Sequence, residues 1–198
     1  ANKKWVKVGG TADGYYSDWI VTLTKAEKYD TTTPPPSERV YTLRVLGEDL
    51  TFGEDVDADF DFNDVVFDVC IDTEKRETWI KLQAAGGTLP LYVDGKEVHG
   101  LFGETSTSVM INTGKGPNHD PVEVKLDNYY ANAKDIPVEV TKNGANVPLK
   151  AERGEPASKI AVSNMNFLWC RERVSMKKQY PLFLEWCTAN NFKSSWWE

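Results

Sequence analysis

The stretch 48–64 holds the residues of this chain whose types are best suited to chemistry. It contains eight carboxylates and no Lys or Arg. Like charges at this density repel one another, and either disorder or a bound cation relieves the repulsion. The aromatic residues Phe60 and Phe62 alternate with the acids and favour burial, which argues against disorder. Clustered carboxylates are hard oxygen ligands, so the composition predicts a folded site for Ca²⁺.

The spacing of the acids separates a loop from a strand. Asp59, Asp61 and Asn63 share one side-chain phase, but the same phase would place apolar residues of 65–71 on the acidic face. We therefore predict a loop or bulge that ends near Asn63 and Asp64, followed by a buried strand over 65–71. The loop is not an EF-hand, because Asp64 stands where that loop requires Gly.

The loop cannot supply every ligand itself, and Glu48 and Asp49 form the nearest acidic pair. We predict one Ca²⁺ with a structural role. The predicted ligand set is Glu48, Asp49, Asp59, Asp61, Asn63 and Asp64. The alternative is a solvated acidic loop without a metal, since any short motif can match by chance.

Several motifs together connect the chain to a known family. They are EDL (48–50), DFDFNDVVFDV (59–69), AAGGTLPLYV (84–93), GKEVHGLFG (95–103), INTG (111–114) and YPLFLEW (180–186). In these motifs the chain resembles the LruC-type domain of Bacteroidetes envelope proteins, a domain of uncharacterised function also called DUF4842. The resemblance covers residues 38–198, and it departs from the family pattern near Trp169 and Cys170, where a Trp-Pro pair is more usual.

The resemblance carries expectations about fold, location and partners. It implies a calcium-associated β-sandwich that is secreted or is an outer-membrane lipoprotein, and is therefore located in the cell envelope or outside the cell. The partner it implies is a cell-surface glycan or another envelope protein.

Turn signals divide most of the chain into short strands. Asp94-Gly95 and Asn143-Gly144 are typical of two-residue type I′ hairpin turns. The segment 78–83 is predicted to pair back on the buried strand at 65–72. Further strands are predicted over 39–46, 109–111, 122–126 and 160–162. Many short strands between Gly, Pro and Asn turns predict an all-β fold, an antiparallel, jelly-roll-like sandwich.

The C-terminal region has a different pattern, and we predict helix only after Arg171. One short helix is expected within 172–178 and another from Pro181 onward, with Leu182, Phe183 and Trp186 on its apolar side. These aromatic residues are predicted to cap one end of the sandwich. The alternative is an exposed aromatic platform that binds a sugar or a partner.

A proline-rich segment marks the predicted domain boundary. Three consecutive prolines within 30–37 hold the chain extended and remove backbone donors. The boundary separates an N-terminal β segment, 1–33, from the sandwich domain, 38–198. The segment 13–21 echoes the acidic loop, and it is either a degenerate second copy or a polar hairpin turn.

The composition of the chain and the motifs that it lacks argue against several classes of protein. Without the eight acids of 48–64 the formal net charge of −7 would become slightly positive, so the acidity is local and argues against nucleic-acid binding. No apolar run approaches the roughly 18 residues of a membrane span. The three cysteines lack CxxC spacing, which argues against a zinc site. Cys170 and Cys187 flank a predicted helical segment and could pair, but the odd number of cysteines favours free thiols. No nucleophile elbow, Walker loop or HExxH is present, and we predict that the protein is not an enzyme.

Three functions remain open at this point. The first is a calcium-stabilised module with a structural or adhesive role. The second is a carbohydrate-binding module that uses exposed Trp and Tyr residues. The third is a calcium-dependent glycan hydrolase, which needs two carboxylates about 5–10 Å apart in a cleft. Glu97 and His99 share a predicted strand face, and with a neighbouring acid they could form a proton-transfer pair or a small metal site. A half-exposed polar strand face is the simpler interpretation.

Overall fold

The computed structural model describes residues 39–50, 59–150, 157–163, 165–188 and 196–197. These residues belong to the unit Arg39–Glu198. The predicted N-terminal segment 1–33, the boundary at 30–37 and the echo of the acidic loop at 13–21 lie outside the described residues. The described strands are β1 Leu43–Gly47, β2 Val65–Asp72, β3 Glu77–Ala84, β4 Leu91–Val93, β5 Lys96–Glu97, β6 Val122–Lys125, β7 Val138–Lys142, β8 Ala145–Pro148 and β9 Lys159–Val162.

The strands form two antiparallel sheets. The larger sheet has the order β6-β3-β2-β1-β9, and the smaller has the order β5-β4-β7-β8. Apolar residues of both sheets share one core, in which Phe67 and Leu82 of the larger sheet accompany Leu91 and Val140 of the smaller. The predicted all-β antiparallel sandwich is confirmed, and so is the predicted pairing of β3 back on β2.

The central strand β2 is buried on both faces, which explains its nearly unbroken apolar run. Val65, Phe67 and Val69 belong to the core between the sheets, whereas Val66 belongs to a second core on the outer face of the larger sheet. A strand covered on both faces needs apolar side chains at successive positions rather than at alternate ones.

The C-terminal segment supplies the cover of that outer face. It contains two short helices, α2 Met176–Gln179 and α3 Phe183–Thr188. The second core combines sheet residues such as Val66 with the aromatic side chains of Phe167, Phe183 and Trp196. The aromatic residues thus pack against a face of the larger sheet rather than against one end of the sandwich. Phe183 and Trp196 are core residues, as predicted, and Trp186 packs against that core. The prediction for Leu182 is wrong, because its side chain is 45% exposed.

Both predicted hairpin turns are confirmed by their backbone angles. Asp94 and Gly95 have φ values of 48° and 75°, and Asn143 and Gly144 have values of 51° and 78°. Positive φ at both central residues is the defining feature of a type I′ turn, and its twist matches that of the flanking strands.

Some predicted strand bounds are wrong. The strand predicted over 39–46 begins only at Leu43, and 109–111 is not a strand, because only Ile111 forms an isolated bridge, with Ala85. Asn112 follows with φ of 59°, and this left-handed residue turns the chain away before a ladder can form.

The prediction that helix occurs only after Arg171 is also wrong. A helical turn, α1 Val98–Leu101, follows β5, and Ala133–Asp135 forms a short 3₁₀ helix. In the C-terminal region itself, helix begins at Met176 and at Phe183, later than the sequence pattern indicated.

Helix α1 also changes the predicted relation between Glu97 and His99. Glu97 is the N-cap residue, and its Oε2 accepts a hydrogen bond of 2.6 Å from the amide of Gly100. His99 is buried inside the helical turn, and its Nδ1 lies 3.0 Å from Oε1 of Glu97. The two residues therefore do not share a strand face, because capping by Glu97 starts a helix where the strand pattern would have continued.

Candidate metal centre

Antiparallel pairing brings the predicted acidic residues together where β1 ends and β2 begins, at one end of these two interior strands of the larger sheet. Gly47, the last residue of β1, pairs with Val65, the first residue of β2. In such a pair the end of one strand lies beside the start of its neighbour. Glu48 and Asp49, which follow β1, therefore meet Asp64, which precedes β2. The amide of Asp49 donates a hydrogen bond of 2.6 Å to Oδ2 of Asp64.

The loop before β2 has an irregular backbone that its aromatic residues stabilise. Phe60 and Phe62 have φ values of 61° and 54°. Left-handed backbone at a non-glycine residue costs roughly 1–3 kcal/mol. Phe62 is fully buried in the second core, and Phe60 packs against that core, so burial offsets this cost. The predicted loop is confirmed, because alternate left-handed residues cannot continue a strand and β2 starts only at Val65.

The carboxylates gather into two groups of three that share one residue. One group contains Glu48, Asp49 and Asp64, and the other contains Glu48, Asp59 and Asp61. Within each group, one carboxylate oxygen of each residue lies within 4.8 Å of the others. Two oxygens bound to one Ca²⁺ at about 2.3–2.6 Å are no more than roughly 5 Å apart, so each group has the size of a cation site.

Backbone amides hold these carboxylates in place. Phe62 N donates to Oε2 of Glu48 at 3.1 Å, and Asn63 N donates to Oδ1 of Asp61 at 3.1 Å. Oδ2 of Asp61 accepts a bond of 2.7 Å from the amide of Arg173, which precedes α2. An ionised carboxylate has about four lone-pair sites, so each group keeps acceptor positions for a cation.

Asn63, the predicted amide ligand, is fully buried beside the carboxylates. Its Nδ2 donates to the carbonyl of Cys170 at 3.3 Å, but its Oδ1 has no hydrogen-bond partner. A buried acceptor without a partner costs about 1–3 kcal/mol. This oxygen therefore fits the ligand role that the sequence predicted, since a bound cation would satisfy it.

Two glycines after β3 allow the chain to pack closely against the acidic loop. A Cβ on Gly86 would lie 2.2 Å from Oδ1 of Asn63, and one on Gly87 would lie 2.6 Å from Oδ2 of Asp49. The amide of Gly86 donates to the carbonyl of Asp64 at 3.0 Å. Only glycine can occupy these positions without displacing the carboxylate and amide oxygens. Neither glycine was predicted to be a site residue, although a Gly-Gly pair close to the end of a strand is a signal of close backbone approach.

Four of the five carboxylates, all except that of Asp61, line a cavity of about 580 Å³. Two further residues of its lining, Glu172 and Arg173, come from the segment before α2, far away in the sequence. No local pattern connects them to the acidic loop, and sequence reasoning could not find them. The lining consists of Glu48, Asp49, Leu50, Asp59, Asp64, Gly86, Thr88, Met110, Glu172 and Arg173.

No family model, curated protein or solved structure matches this chain. The resemblance to the LruC-type domain therefore stays a prediction that rests on the motifs alone.

Within the described ranges, none of the helices has the length and apolar character to cross a membrane. Cys70 and Cys170 are buried free thiols, which agrees with the prediction made from the odd cysteine count.

Burial changes the acidity of the clustered carboxyl groups. It raises the pKa of Asp61 to about 8, that of Glu48 to about 7 and that of Asp49 to about 6. It also raises the pKa of Asp64 well above its usual value. Loss of water on burial is the largest cause for each group, and repulsion between neighbouring carboxylates adds to it. Without a cation, several of these groups hold protons close to neutral pH.

These pKa values predict an unusual pH dependence of stability in calcium-free buffer. A carboxyl whose pKa is raised by folding binds more protons in the folded chain than in the unfolded chain. Its stabilising contribution is complete below the unfolded value of about 4 and is lost as the pH rises through the folded value. We therefore expect the melting temperature without calcium to fall between pH 6 and pH 8.

Calcium should flatten this slope, because the calcium-bound folded chain and the unfolded chain both hold these carboxyl groups ionised between pH 6 and pH 8 and so bind nearly equal numbers of protons. The measurement is a series of thermal melts from pH 6 to pH 8, with and without millimolar calcium. An Asp61→Asn variant serves as a control whose calcium-free slope should be flatter. A calcium-free melting temperature that rises across this range would contradict the prediction.

Proposed function

We propose that this chain is a calcium-binding β-sandwich module in which the bound metal has a structural role. The observation that carries the proposal is the burial of the acids. Glu48, Asp49, Asp61 and Asp64 are each at most 9% exposed, yet they lie in groups the size of a cation site. At 4 Å, two like charges repel by about 4 kcal/mol at an effective dielectric constant of 20.

The groups can relieve this repulsion in two main ways while the loop stays folded. They can take up protons, which their raised pKa values permit, or they can bind a cation. A third route, in which the side chains swing into water, is restricted because Phe62 anchors the loop in the second core. Both groups contain carboxylates alone, without His or Cys. Such an all-oxygen donor set favours Ca²⁺ over Zn²⁺.

The structural role follows from where the donors come from. Glu48 and Asp49 directly follow β1, Asp64 precedes β2, and the amide of Arg173 connects Asp61 to the C-terminal segment. A cation at this point would connect three parts of the chain that are distant in sequence. The resemblance to envelope proteins adds the expectation of an adhesive or structural role in the cell envelope or outside the cell.

The carbohydrate-binding alternative depended on exposed aromatic residues. Phe183 and Trp196 are buried, and Trp169, Trp186 and Trp197 pack against the same core. The C-terminal aromatics therefore give that alternative no support. The glycan hydrolase alternative stays a prediction without a supporting observation, since the clustered carboxylates are those of the proposed calcium site.

Calorimetric titration with calcium tests the proposal. Glu48 belongs to both groups, so Glu48→Gln should weaken calcium binding at least about tenfold, which corresponds to about 1.4 kcal/mol. Glu74→Gln makes the same chemical change at an exposed residue and should bind calcium like the parent. A parent protein that binds no calcium at millimolar concentration would overturn the proposed function.

A further inference from the structure

In the described structure the five carboxylates do not all lie close enough together to surround one ion. If they surrounded a single Ca²⁺, all of their ligating oxygens would lie within roughly 5 Å of one another. Instead they divide at that distance into one group with Asp49 and Asp64 and another with Asp59 and Asp61. This division was not visible in the sequence, from which we predicted a single ion.

Glu48 connects the two groups, because it belongs to both. Its side chain is buried, and its Oε2 is held by the amide of Phe62 at 3.1 Å. A carboxylate has two oxygens and can therefore contact two cations at once. In sites with two metals the ions are about 3.5–4 Å apart, a separation that one bridging carboxylate can span.

Charge balance also favours two ions. The five ionised carboxylates carry five negative charges, so one divalent cation would leave three of them uncompensated and two cations would leave one. Four of the five are buried, and an uncompensated charge is costly when water is excluded.

An observation independent of the carboxylates indicates a ligand at this point. Oδ1 of Asn63 is buried without a hydrogen-bond partner. It lies against Gly86, which lines the same cavity as Glu48, Asp49 and Asp64, at a distance where a Cβ would collide with it. A neutral amide oxygen adds a donor without adding charge, which suits a centre already rich in carboxylates.

We propose that the cluster binds two divalent cations bridged by Glu48, one with Asp49 and Asp64 and the other with Asp59 and Asp61. This inference rests on the proposed function, since it specifies the number of ions and divides the ligands between them. Each group therefore binds its own ion, and only Glu48 contacts both ions.

The test is the number of calcium ions bound per chain, measured by native mass spectrometry and by calorimetric titration of the parent protein. Two ions are expected. One ion would overturn the two-ion inference and leave the proposed function intact, whereas no bound calcium would overturn both. Because this measurement uses only the parent protein, it does not depend on whether any variant folds.

Variants then test how the ligands are divided. Asp49→Asn and Asp59→Asn should each reduce the number of bound ions from two to one, and the exposed Asp120→Asn should keep two. Circular dichroism shows whether each variant is folded. A folded Asp49→Asn or Asp59→Asn that still binds two ions at parental affinity, or that loses both, would overturn the assignment to separate groups.

Discussion

Replacing Phe183 by alanine should lower the free energy of unfolding by about 3–5 kcal/mol. Phe183 is fully buried at the centre of the second core. Its ring centroid lies 4.8 Å from that of Trp196 and 5.9 Å from that of Phe62, so truncation removes contacts with both the C-terminal segment and the acidic loop. Urea denaturation followed by circular dichroism measures the change.

The neighbouring residue provides the control. Leu182 is 45% exposed, and Leu182→Ala should cost less than about 1 kcal/mol, as surface substitutions usually do. Trp186 is only partly buried, so we expect a smaller loss for Trp186→Ala than for Phe183→Ala. If Phe183→Ala lowered the free energy of unfolding by less than about 1 kcal/mol, the described second core would be contradicted, because truncating a fully buried Phe side chain costs more than that.

Replacing Arg44 by methionine should also lower the free energy of unfolding by about 3–5 kcal/mol. Arg44 and Asp68 are opposite each other on β1 and β2, and both are at most 6% exposed. Their contact is bidentate, with Nε 2.7 Å from Oδ1 and Nη2 3.0 Å from Oδ2. The substitution would leave the Asp68 carboxylate buried without its cation, although Gln83 still donates to it at 2.8 Å.

A double variant separates the loss of the pair from the cost of a stranded charge. Arg44→Met combined with Asp68→Leu removes both charges and should recover most of the lost stability. Lys96→Met breaks a surface ion pair with Asp127, which is 77% exposed, and should cost at most about 1 kcal/mol. Denaturant unfolding measures these losses. If Arg44→Met lowered the free energy of unfolding no more than Lys96→Met does, the claim that Asp68 needs its buried cation would be contradicted.

The sequence was most informative where one segment determines its own conformation. The turns at Asp94-Gly95 and Asn143-Gly144 need positive φ, and their residue types are those that tolerate it. The break between the acidic loop and β2 followed from a conflict of side-chain phase, and Phe60 and Phe62 resolve that conflict with left-handed backbone. These features could be predicted because the residues that cause them are adjacent.

The features that the sequence did not reveal depend on contacts between distant segments. The division of the acids around Glu48 depends on how β1 and β2 pair, and Arg173 contacts Asp61 only because the C-terminal segment covers the larger sheet. Helix α1 was not predicted, because Glu97 lies in a pattern of alternating polar and apolar residues that is typical of a strand. The pattern does not indicate that the Glu97 side chain accepts a hydrogen bond from the amide of Gly100. Periodicity describes which faces are apolar, but it does not specify which other segment covers them.

Thermal unfolding in chelator and then in millimolar calcium tests the central claim, that the buried carboxylates bind this ion. At calcium a hundredfold above the dissociation constant, binding to the folded chain alone contributes about 2.7 kcal/mol. For a domain of this size, that should raise the melting temperature by about 5–10 °C. Asp61→Asn removes a ligand and should show a smaller rise or none. A parent protein that melts at the same temperature in chelator and in calcium would contradict the claim.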